Sequence, residues 1–279
     1  MSEIFPAKSA LIALSGGVDS AVLLAKAKEA GVVLHAAMSN FLPVRSALIA
    51  LSGGIDSAVL LALAAEEGLD VHAATIVSEF TPKAEAARAN ALAKRFGIPW
   101  HPVHISMLSC ADIRQPERCY LCKKIIMGEM QSLANRLGLE AVFDGTHADD
   151  IASNDRPGIR ALTEAGIISP FAGAGIGKAG ILAEAQRLGL DALPPSACLA
   201  TRIPHGTALS TSLLETVDAA EEMLRAGGVC GILRVRFDGV RAVIETEPGE
   251  RETAKIYENK LKQLGIEEVS YRDYISGGV

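Results

Sequence analysis

The chain has 279 residues, of which 49% are hydrophobic and 22% charged, a composition typical of a globular protein and not of a disordered one. Its formal net charge of −6 argues against a broadly basic surface for nucleic acids. Apolar runs such as residues 58–65 are too short to cross a bilayer, so we expect no membrane partner. Five cysteines without an export signal indicate thiol or metal chemistry in a reducing compartment, and we expect a cytoplasmic protein.

The front of the chain contains a repeat. Residues 9–37 recur at residues 46–74, with 22 of 29 positions identical. Each copy has the pattern of a strand, a glycine-rich turn and a helix, and two copies are too few for a solenoid. The second copy continues into the rest of the chain, so we predict that its loop is the working one. The first loop, residues 15–20, is then a duplicated remnant at the sheet edge; a swapped strand that places the first loop in the site is the alternative.

Downstream, predicted strands and helices alternate as in a parallel sheet flanked by helices. After the strand and helix of the second copy, at residues 47–51 and 58–67, the predicted strands are 71–77, 100–105 and 141–144, and the helices are 83–96, 123–137 and 178–188. Beyond a Pro-rich joint at residues 193–196, predicted helices 213–226 and 250–264 accompany strands 233–237, 241–245 and 268–272. We predict an α/β fold in three parts: a duplicated unit (1–45), a mostly parallel domain (46–195) and a small α+β domain (196–279).

The turn after the first strand of the second copy has the residues of a phosphate-binding loop. Its sequence is Ser52-Gly53-Gly54-Ile55-Asp56-Ser57. Paired glycines let backbone N–H groups approach an anion, and the N-terminus of the following helix adds donors and a favourable dipole. The serine hydroxyls are further donors, and the Asp56 carboxylate can hold Mg²⁺ against the phosphates. An ordinary tight strand–helix turn is the alternative.

This hexapeptide after a strand resembles the PP-loop of the N-type ATP pyrophosphatases. The resemblance implies an adenine nucleotide alpha hydrolase-like fold. It also implies ATP and Mg²⁺ as cofactors, and a reaction in which ATP is split into AMP and pyrophosphate to adenylate a substrate. The loop alone identifies the superfamily and not the substrate.

The cysteines fall into two groups. Cys119 and Cys122 are three residues apart at the predicted start of a helix, a spacing that fits zinc, an iron–sulfur cluster or a redox dithiol. Cys198 follows the Pro-rich joint. Cys110 and Cys230 stand in ordinary surroundings, and we expect both to be buried and inert.

Several short motifs follow one another along residues 46–279. They are Arg118-Cys119-Tyr120-Leu121-Cys122-Lys123, residues 144–150, residues 156–158, Ser169-Pro170 and residues 198–204. Together they resemble the LarE family, the sulfur transferases that build the nickel-pincer nucleotide cofactor of lactate racemase. The resemblance implies that ATP adenylates a carboxylate of a pyridinium dicarboxylate mononucleotide, and that sulfur then displaces AMP to give a thiocarboxylate.

The LarE resemblance also implies a source of the sulfur. One branch of the family has a single cysteine, matching Cys198, which gives up its own sulfur and becomes dehydroalanine. The other branch has three, matching Cys119, Cys122 and Cys198, which hold a [4Fe–4S] cluster whose open iron carries a sulfide for transfer. Because all three cysteines are present, the chain resembles the cluster branch; Cys198 as a sacrificial donor stays the alternative.

Further roles follow from the resemblance, residue by residue. The residues of the 52–57 loop hold the ATP phosphates; Thr146 and Asp149 meet pyrophosphate and Mg²⁺, unless they only begin a capped helix. Arg202 neutralises an adenylate or substrate phosphate near Cys198. Arg234 and Arg236 alternate on a strand and meet phosphate, although solvated surface arginines fit the same pattern. The chain departs from the family pattern at His147, where Asn is common, and at His205, where Tyr is common.

Three other functions remain open. A PP-loop tRNA thiolase also combines this loop with three cysteines, but the acidic composition argues against an RNA surface. An amide-forming synthetase has no use for the cysteines, and a zinc-stapled nucleotide-binding protein is the non-enzymatic alternative. The expected partners are a small nucleotide substrate and a sulfide donor, and the LarE resemblance implies a homohexamer.

Overall fold

A computed structural model of the chain describes residues 44–110, 117–153, 158–191 and 196–275. The first copy of the repeat, with its loop at residues 15–20, lies outside the described residues. The described chain divides into two compact units. The first contains residues 44–75, 89–103, 119–153 and 158–191, and the second contains residues 76–88, 104–110, 117–118 and 196–275. The second unit therefore includes short segments that the sequence assigns to the 46–195 domain, and the predicted three-part division stays a prediction.

Helices and strands alternate along the chain as predicted. In chain order they are β1 (Ser46–Ala50), α1 (Ile55–Glu66), β2 (Asp70–Val77), α2 (Lys83–Arg95), β3 (Trp100–His104), α3 (Arg118–Leu137), β4 (Ala141–Phe143), α4 (Ala148–Ala152), α5 (Gly158–Glu164), α6 (Pro170–Gly173), α7 (Lys178–Arg187), a 3₁₀ turn (Leu199–Arg202), α8 (Thr211–Ala226), β5 (Leu233–Phe237), β6 (Arg241–Thr246), a 3₁₀ turn (Pro248–Glu250), α9 (Arg251–Lys255), α10 (Glu258–Gln263) and β7 (Glu268–Asp273).

A four-stranded sheet with the order β3-β2-β1-β4 positions the loop at residues 52–57. The central strand β1 pairs in parallel with β2 and with β4, so that Leu48 lies opposite both His72 and Val142. Parallel strands of this kind are covered on both faces, which explains the apolar sequence of β1. The predicted α/β fold with a mostly parallel sheet is confirmed. Because β1 and β4 are neighbours, the loops that follow them lie at the same edge of the sheet.

The hydrophobic core of this region forms on one face of the sheet, where α1 and α7 pack. Side chains of alternate residues on β1, among them Ala47 and Ile49, meet apolar residues of α1 such as Val59 and Leu63. The buried face of α1 consists of Ala, Val and Leu in the continuous run that the sequence shows at residues 58–64. This packing fixes the N-terminal end of α1, and with it the glycine-rich loop, against the sheet.

The C-terminal part contains a second sheet of three strands. β5 and β6 form an antiparallel hairpin, and β7 adds in parallel to β6. The predicted single helix at residues 250–264 is wrong, because the helix is interrupted between α9 and α10. The interruption lies at Tyr257, whose ring packs closely against the backbone at Gly227. Among the described helices, none is both long enough and apolar enough to cross a membrane.

Candidate functional site

The glycine-rich loop between β1 and α1 is stabilised by hydrogen bonds between its own residues. The Ser57 hydroxyl donates to the Gly54 carbonyl at 3.0 Å and accepts the backbone N–H of Ser52 at 3.2 Å. Gly53 has a φ of 81°, a left-handed conformation that favours glycine. Gly54 precedes α1 and has no side chain to cap it, so the first N–H groups of the helix remain for an anion. The loop therefore has the form of a phosphate cradle, and the hydroxyl of Ser57, which is 4% exposed, serves to shape it.

The loop after β4 approaches this cradle closely. A Cβ atom built on Gly145 would lie 2.9 Å from the backbone nitrogen of Ser57 and 3.0 Å from the carbonyl carbon of Asp56. Only a glycine fits at this distance without displacing the backbone. The structure thus brings residues 144–149 beside the 52–57 loop, as the positions of the two strands predict.

Asp144 organises the loop after β4. Its carboxylate is 3% exposed, accepts hydrogen bonds from the hydroxyls of Thr146 at 2.7 Å and Ser169 at 2.6 Å, and lies 3.5 Å from the ammonium group of Lys123. Such hydrogen-bond donors and a nearby cation offset the cost of burying a carboxylate. Thr146 is therefore held in place by Asp144, a residue for which the sequence analysis assigns no role although it begins one of the quoted motifs.

A lysine that the sequence analysis missed joins the two loops. The ammonium group of Lys178 donates to the Asp56 carboxylate at 2.6 Å, while the backbone N–H of Lys178 donates to the Asp149 carboxylate at 2.6 Å. Asp149 therefore caps the N-terminus of α7, where a carboxylate is stabilised by the helix dipole. Lys178 is 122 residues from Asp56 in the chain, and no motif marks it.

His147 also has a structural role at this edge. Its ring nitrogen Nδ1 accepts the backbone N–H of Asp150 at 3.3 Å, and the backbone N–H of His147 donates to the Asp150 carboxylate at 3.1 Å. This reciprocal pair is a capping box at the start of α4. The alternative that residues 146–150 begin a capped helix is therefore correct for His147 and Asp150, whereas Asp149 is engaged with α7.

Cys119 and Cys122 lie in the first turn of α3. The helix begins at Arg118, five residues earlier than the sequence predicts, so both cysteines are inside it. Cys119 is exposed and Cys122 partly exposed, and none of the five cysteines, all of which are described, forms a disulfide. The expected burial of Cys110 and Cys230 is wrong: Cys110 is partly exposed, and Cys230 is exposed in the turn before β5.

Cys198 belongs to the second unit and begins the 3₁₀ turn at Leu199–Arg202. The carbonyl of Cys198 accepts the Thr201 hydroxyl at 2.7 Å, and the backbone N–H of Leu199 donates to the Phe80 carbonyl at 2.9 Å. Arg236 donates to the Thr201 carbonyl at 2.7 Å. These bonds hold the backbone on either side of the thiol, which is partly exposed.

Arg202 is fully buried and forms hydrogen bonds that hold this turn. Its guanidinium donates to both carboxylate oxygens of Glu221, at 2.7 and 3.1 Å, and to the Ala197 carbonyl at 2.9 Å. Arg202 is 0% exposed, and the hydrogen bonds described for its guanidinium all go to protein groups. The geometry favours a positioning role for Arg202 on the Cys198 turn over direct contact with a substrate phosphate.

Arg234 and Arg236 lie on the same face of β5, as their alternation predicts. Neither is a solvated surface arginine: Arg234 is buried with its guanidinium 5.7 Å from the centre of the Tyr274 ring, and Arg236 pairs with Glu245 at 3.1 Å. Burial is the main cause that lowers the pKa of Arg234, and the nearby charge of Arg202 lowers this pKa further.

Glu85 lies near the Cys198 turn. Burial raises the pKa of Glu85, which accepts a hydrogen bond from Ser196 just before Cys198.

The described residues contain no group of three or more His, Cys, Asp or Glu side chains arranged to hold a metal ion. Cys119 and Cys122 belong to one unit and Cys198 to the other, so their convergence stays a prediction. Three unbridged thiols, two of them on one helical turn, nevertheless match the chemistry of a thiolate-bound cluster, which draws its ligands together when it binds.

Comparisons with known proteins give one family profile and several relatives. A family profile for asparagine synthase matches residues 44–151. The chain is 38% identical over 167 residues to the uncharacterized protein MJ0830 of Methanocaldococcus jannaschii, covering 57% of this chain and 66% of that protein. It is 36% identical over 178 residues to the uncharacterized protein slr1717 of Synechocystis sp., covering 62% of this chain and 66% of that one.

A third relative is named for its reaction. Pyridinium-3,5-bisthiocarboxylic acid mononucleotide synthase of Lactiplantibacillus plantarum is 35% identical over 173 residues, covering 60% of this chain and 62% of that protein. The solved structure of NMN synthetase from Francisella tularensis has a TM-score of 0.45 and 19% identity, covering 60% of this chain and 71% of that chain. The chain thus spans just under two thirds of the curated relatives it matches. The chain is therefore similar in sequence to this named synthase and to two uncharacterized proteins, and its residues 44–151 match the asparagine synthase profile.

Proposed function

We propose that the chain is an ATP-dependent sulfur transferase that converts a carboxylate of a pyridinium dicarboxylate mononucleotide into a thiocarboxylate. The observation that carries the proposal is the cradle formed by the 52–57 loop, the loop after β4 and Lys178, because these groups together provide donors and a cation for a polyphosphate. The homology to a synthase named for a bisthiocarboxylic acid mononucleotide supports the choice of substrate.

In the first step, a substrate carboxylate oxygen attacks the α-phosphorus of ATP. A new P–O bond forms, the bond between the α- and β-phosphates breaks, and pyrophosphate leaves with the electron pair. The N–H groups at the start of α1 and the Lys178 ammonium group are placed to stabilise the charge that develops on pyrophosphate. Asp56 is the proposed carboxylate for Mg²⁺, and the Lys178 ammonium group 2.6 Å from it supports this proposal, because a cation is already stabilised at that position.

In the second step, a sulfur nucleophile attacks the acyl carbon, the C–S bond forms and AMP leaves. When bound by Cys119, Cys122 and Cys198, a [4Fe–4S] cluster would leave one iron open to carry exogenous sulfide. Arg202, Arg236 and Thr201 hold the turn that presents Cys198. Arg234 and Arg236 then remain the proposed contacts for the substrate phosphate.

A second candidate is sulfur donation by Cys198 itself. It is favoured by the fact that the hydrogen bonds described at the Cys198 turn come from residues of the second unit, including Phe80, Arg202 and Arg236. Here the Cys198 thiolate attacks the acyl carbon and displaces AMP, which gives a thioester. Loss of the Cα proton then breaks the Cβ–S bond, so that the sulfur leaves with the product as a thiocarboxylate and dehydroalanine stays in the chain. One chain then makes one C–S bond.

The test is an anaerobic reaction of the purified chain with ATP, Mg²⁺, the pyridinium dicarboxylate mononucleotide and sulfide. We expect pyrophosphate release and a thiocarboxylate product, identified by its mass, in excess over protein. A single equivalent of product per chain would identify Cys198 as the donor. Pyrophosphate release without thiolated product would overturn sulfur transfer, and unmodified tRNA in place of the nucleotide provides the control for a tRNA thiolase.

A further inference from the structure

The turn that carries Cys119 and Cys122 is anchored by residues of α5. Tyr120, which lies between the two cysteines, is 9% exposed and its hydroxyl donates to the Glu164 carboxylate at 2.5 Å. The Arg160 guanidinium lies 3.7 Å from the centre of the Tyr120 ring, and its Nε is 3.4 Å from the other oxygen of Glu164. Lys124 adds a longer contact to Glu164 at 4.0 Å.

This cluster holds the side of the helix that faces away from the thiols. Successive residues of an α-helix are about 100° apart around its axis, so Cys119 and Cys122 are about 60° apart and share one face. Tyr120 lies about 100° from Cys119 and about 160° from Cys122 on the same scale. The contacts with α5 therefore hold the turn from a different side of the helix than the one that carries the thiols, of which Cys119 is exposed and Cys122 partly exposed.

The first turn of a helix is where fraying is expected, since its N–H groups lack partners within the helix. Two metal ligands on such a turn keep a fixed spacing only if other contacts hold the backbone. Exposed ion pairs contribute little to this, and Arg160 and Glu164 have 58% and 42% of their side chains exposed. The hydrogen bond of the buried Tyr120 with the Glu164 carboxylate is the stronger contact, because one partner is charged and the other is shielded from water.

We infer that Tyr120 and Glu164, with Arg160 packed over the ring, form a clamp that sets the geometry of the Cys119 and Cys122 thiols before a metal binds. Tyr120 and Glu164 are thus positioning residues for the metal ligands. The inference rests on the proposed function in taking these two thiols as ligands, but it does not depend on which thiophilic metal they hold.

The probe is Cd²⁺ alone, added anaerobically to the full chain and followed by the absorbance of cadmium–thiolate bonds. A Cys122→Ser variant defines the signal that belongs to the pair. We expect Tyr120→Phe and Glu164→Gln each to weaken Cd²⁺ binding about tenfold, the size of one charge-assisted hydrogen bond. Tyr257→Phe, which removes a tyrosine hydroxyl from the second unit, is the matched control and should bind Cd²⁺ like the wild type.

Wild-type affinity in both Tyr120→Phe and Glu164→Gln would overturn the clamp, and so would an equal loss in Tyr257→Phe, which would indicate general loosening. Should Tyr120→Phe fail to fold, Glu164→Gln decides alone. Iron and acid-labile sulfide are measured in parallel on the reconstituted wild type. Absence of iron there would count against the cluster in the proposed function, while the Cd²⁺ comparison would still decide the clamp.

Discussion

The ammonium group of Lys178 lies 2.6 Å from the Asp56 carboxylate, so the N-terminus of α7 contributes a cation to the loop that ends β1. The same residue donates its backbone N–H to Asp149. Two carboxylates that the sequence analysis assigns to Mg²⁺ and pyrophosphate are therefore linked through one lysine. When Mg²⁺ and ATP arrive, this ammonium group is the nearest protein cation to Asp56 among the described ion pairs and can turn to the phosphates.

Replacement of Lys178 by Met should lower pyrophosphate release by about 100-fold, the effect of removing one group that stabilises developing charge. The free energy of unfolding should change by less than about 1 kcal/mol, because the Lys178–Asp56 pair is partly exposed. Steady-state kinetics and urea unfolding measure the two effects. Lys255→Met, which breaks an exposed pair with Glu252, is the matched control and should leave the rate unchanged; an equal rate in both variants would contradict the role of Lys178.

Asp56→Asn should abolish pyrophosphate release, because an amide cannot balance the charge of Mg²⁺ as a carboxylate does. Asp19→Asn, at the corresponding position of the first copy, should leave most of the activity. The measurement is pyrophosphate production at saturating ATP. Equal loss from both substitutions would show that both loops contribute to the site, and loss from Asp19→Asn alone would show that the first loop is the working one.

Gly145→Ala should weaken nucleotide binding and destabilise the fold by about 1–3 kcal/mol, the usual cost of overpacking. The added methyl group would lie within 3.0 Å of backbone atoms of Asp56 and Ser57, and would push the two loops apart. Equilibrium binding of ATP and urea unfolding are the measurements. Gly128→Ala in α3, where a Cβ meets nothing within 4 Å, is the control and should be neutral or stabilising by up to about 1 kcal/mol.

The sequence predicts the strand, turn and helix around the 52–57 loop well because their signal is local. The residues of a strand, a glycine-rich turn and a helix are adjacent in the chain. The pairing of β1 with β4 then brings the loop after β4 beside the 52–57 loop. The sequence does not predict the contact between Lys178 and Asp56, because the two residues are 122 positions apart and no pattern in the chain indicates that they meet. The surroundings of Arg202 cannot be seen in the sequence for a related reason: an arginine near a cysteine suggests a phosphate contact, and its burial and its hydrogen bonds to Glu221 depend on tertiary packing.

The stability of the chain should fall as the pH drops below about 6.5, in part because of His101. Burial, and then the charge of His72, lowers the pKa of His101, whose ring lies 2.9 Å from that of His72. The unfolded chain therefore takes up a proton at a higher pH than the native state, and stability is lost as the pH falls from the unfolded toward the folded pKa. Urea unfolding at pH 8, 7, 6 and 5.5 measures this loss.

In His101→Gln the part of the pH dependence that comes from this ring should disappear. His104→Gln, which changes an exposed histidine at the end of the same strand, is the control and should keep the wild-type slope. A wild-type slope in His101→Gln would show that the histidine pair contributes nothing to the pH dependence.

Cys119→Ser, Cys122→Ser and Cys198→Ser should each lose iron and multiple-turnover sulfur transfer, yet keep ATP-dependent pyrophosphate release. The physical reason is that the phosphate cradle contains no cysteine, whereas a cluster with one open iron needs three thiolates. Cys110→Ser and Cys230→Ser are matched controls, since both residues are unbridged and at least partly exposed, and should keep iron and activity. The measurements are iron and acid-labile sulfide per chain, pyrophosphate release, and product formed per chain.

If Cys119→Ser and Cys122→Ser stay active and only Cys198→Ser is inactive, the cluster is excluded as the sulfur source. The sacrificial mechanism then requires that each reacted wild-type chain lose the mass of one hydrogen sulfide, through conversion of Cys198 to dehydroalanine, in proportion to the product formed.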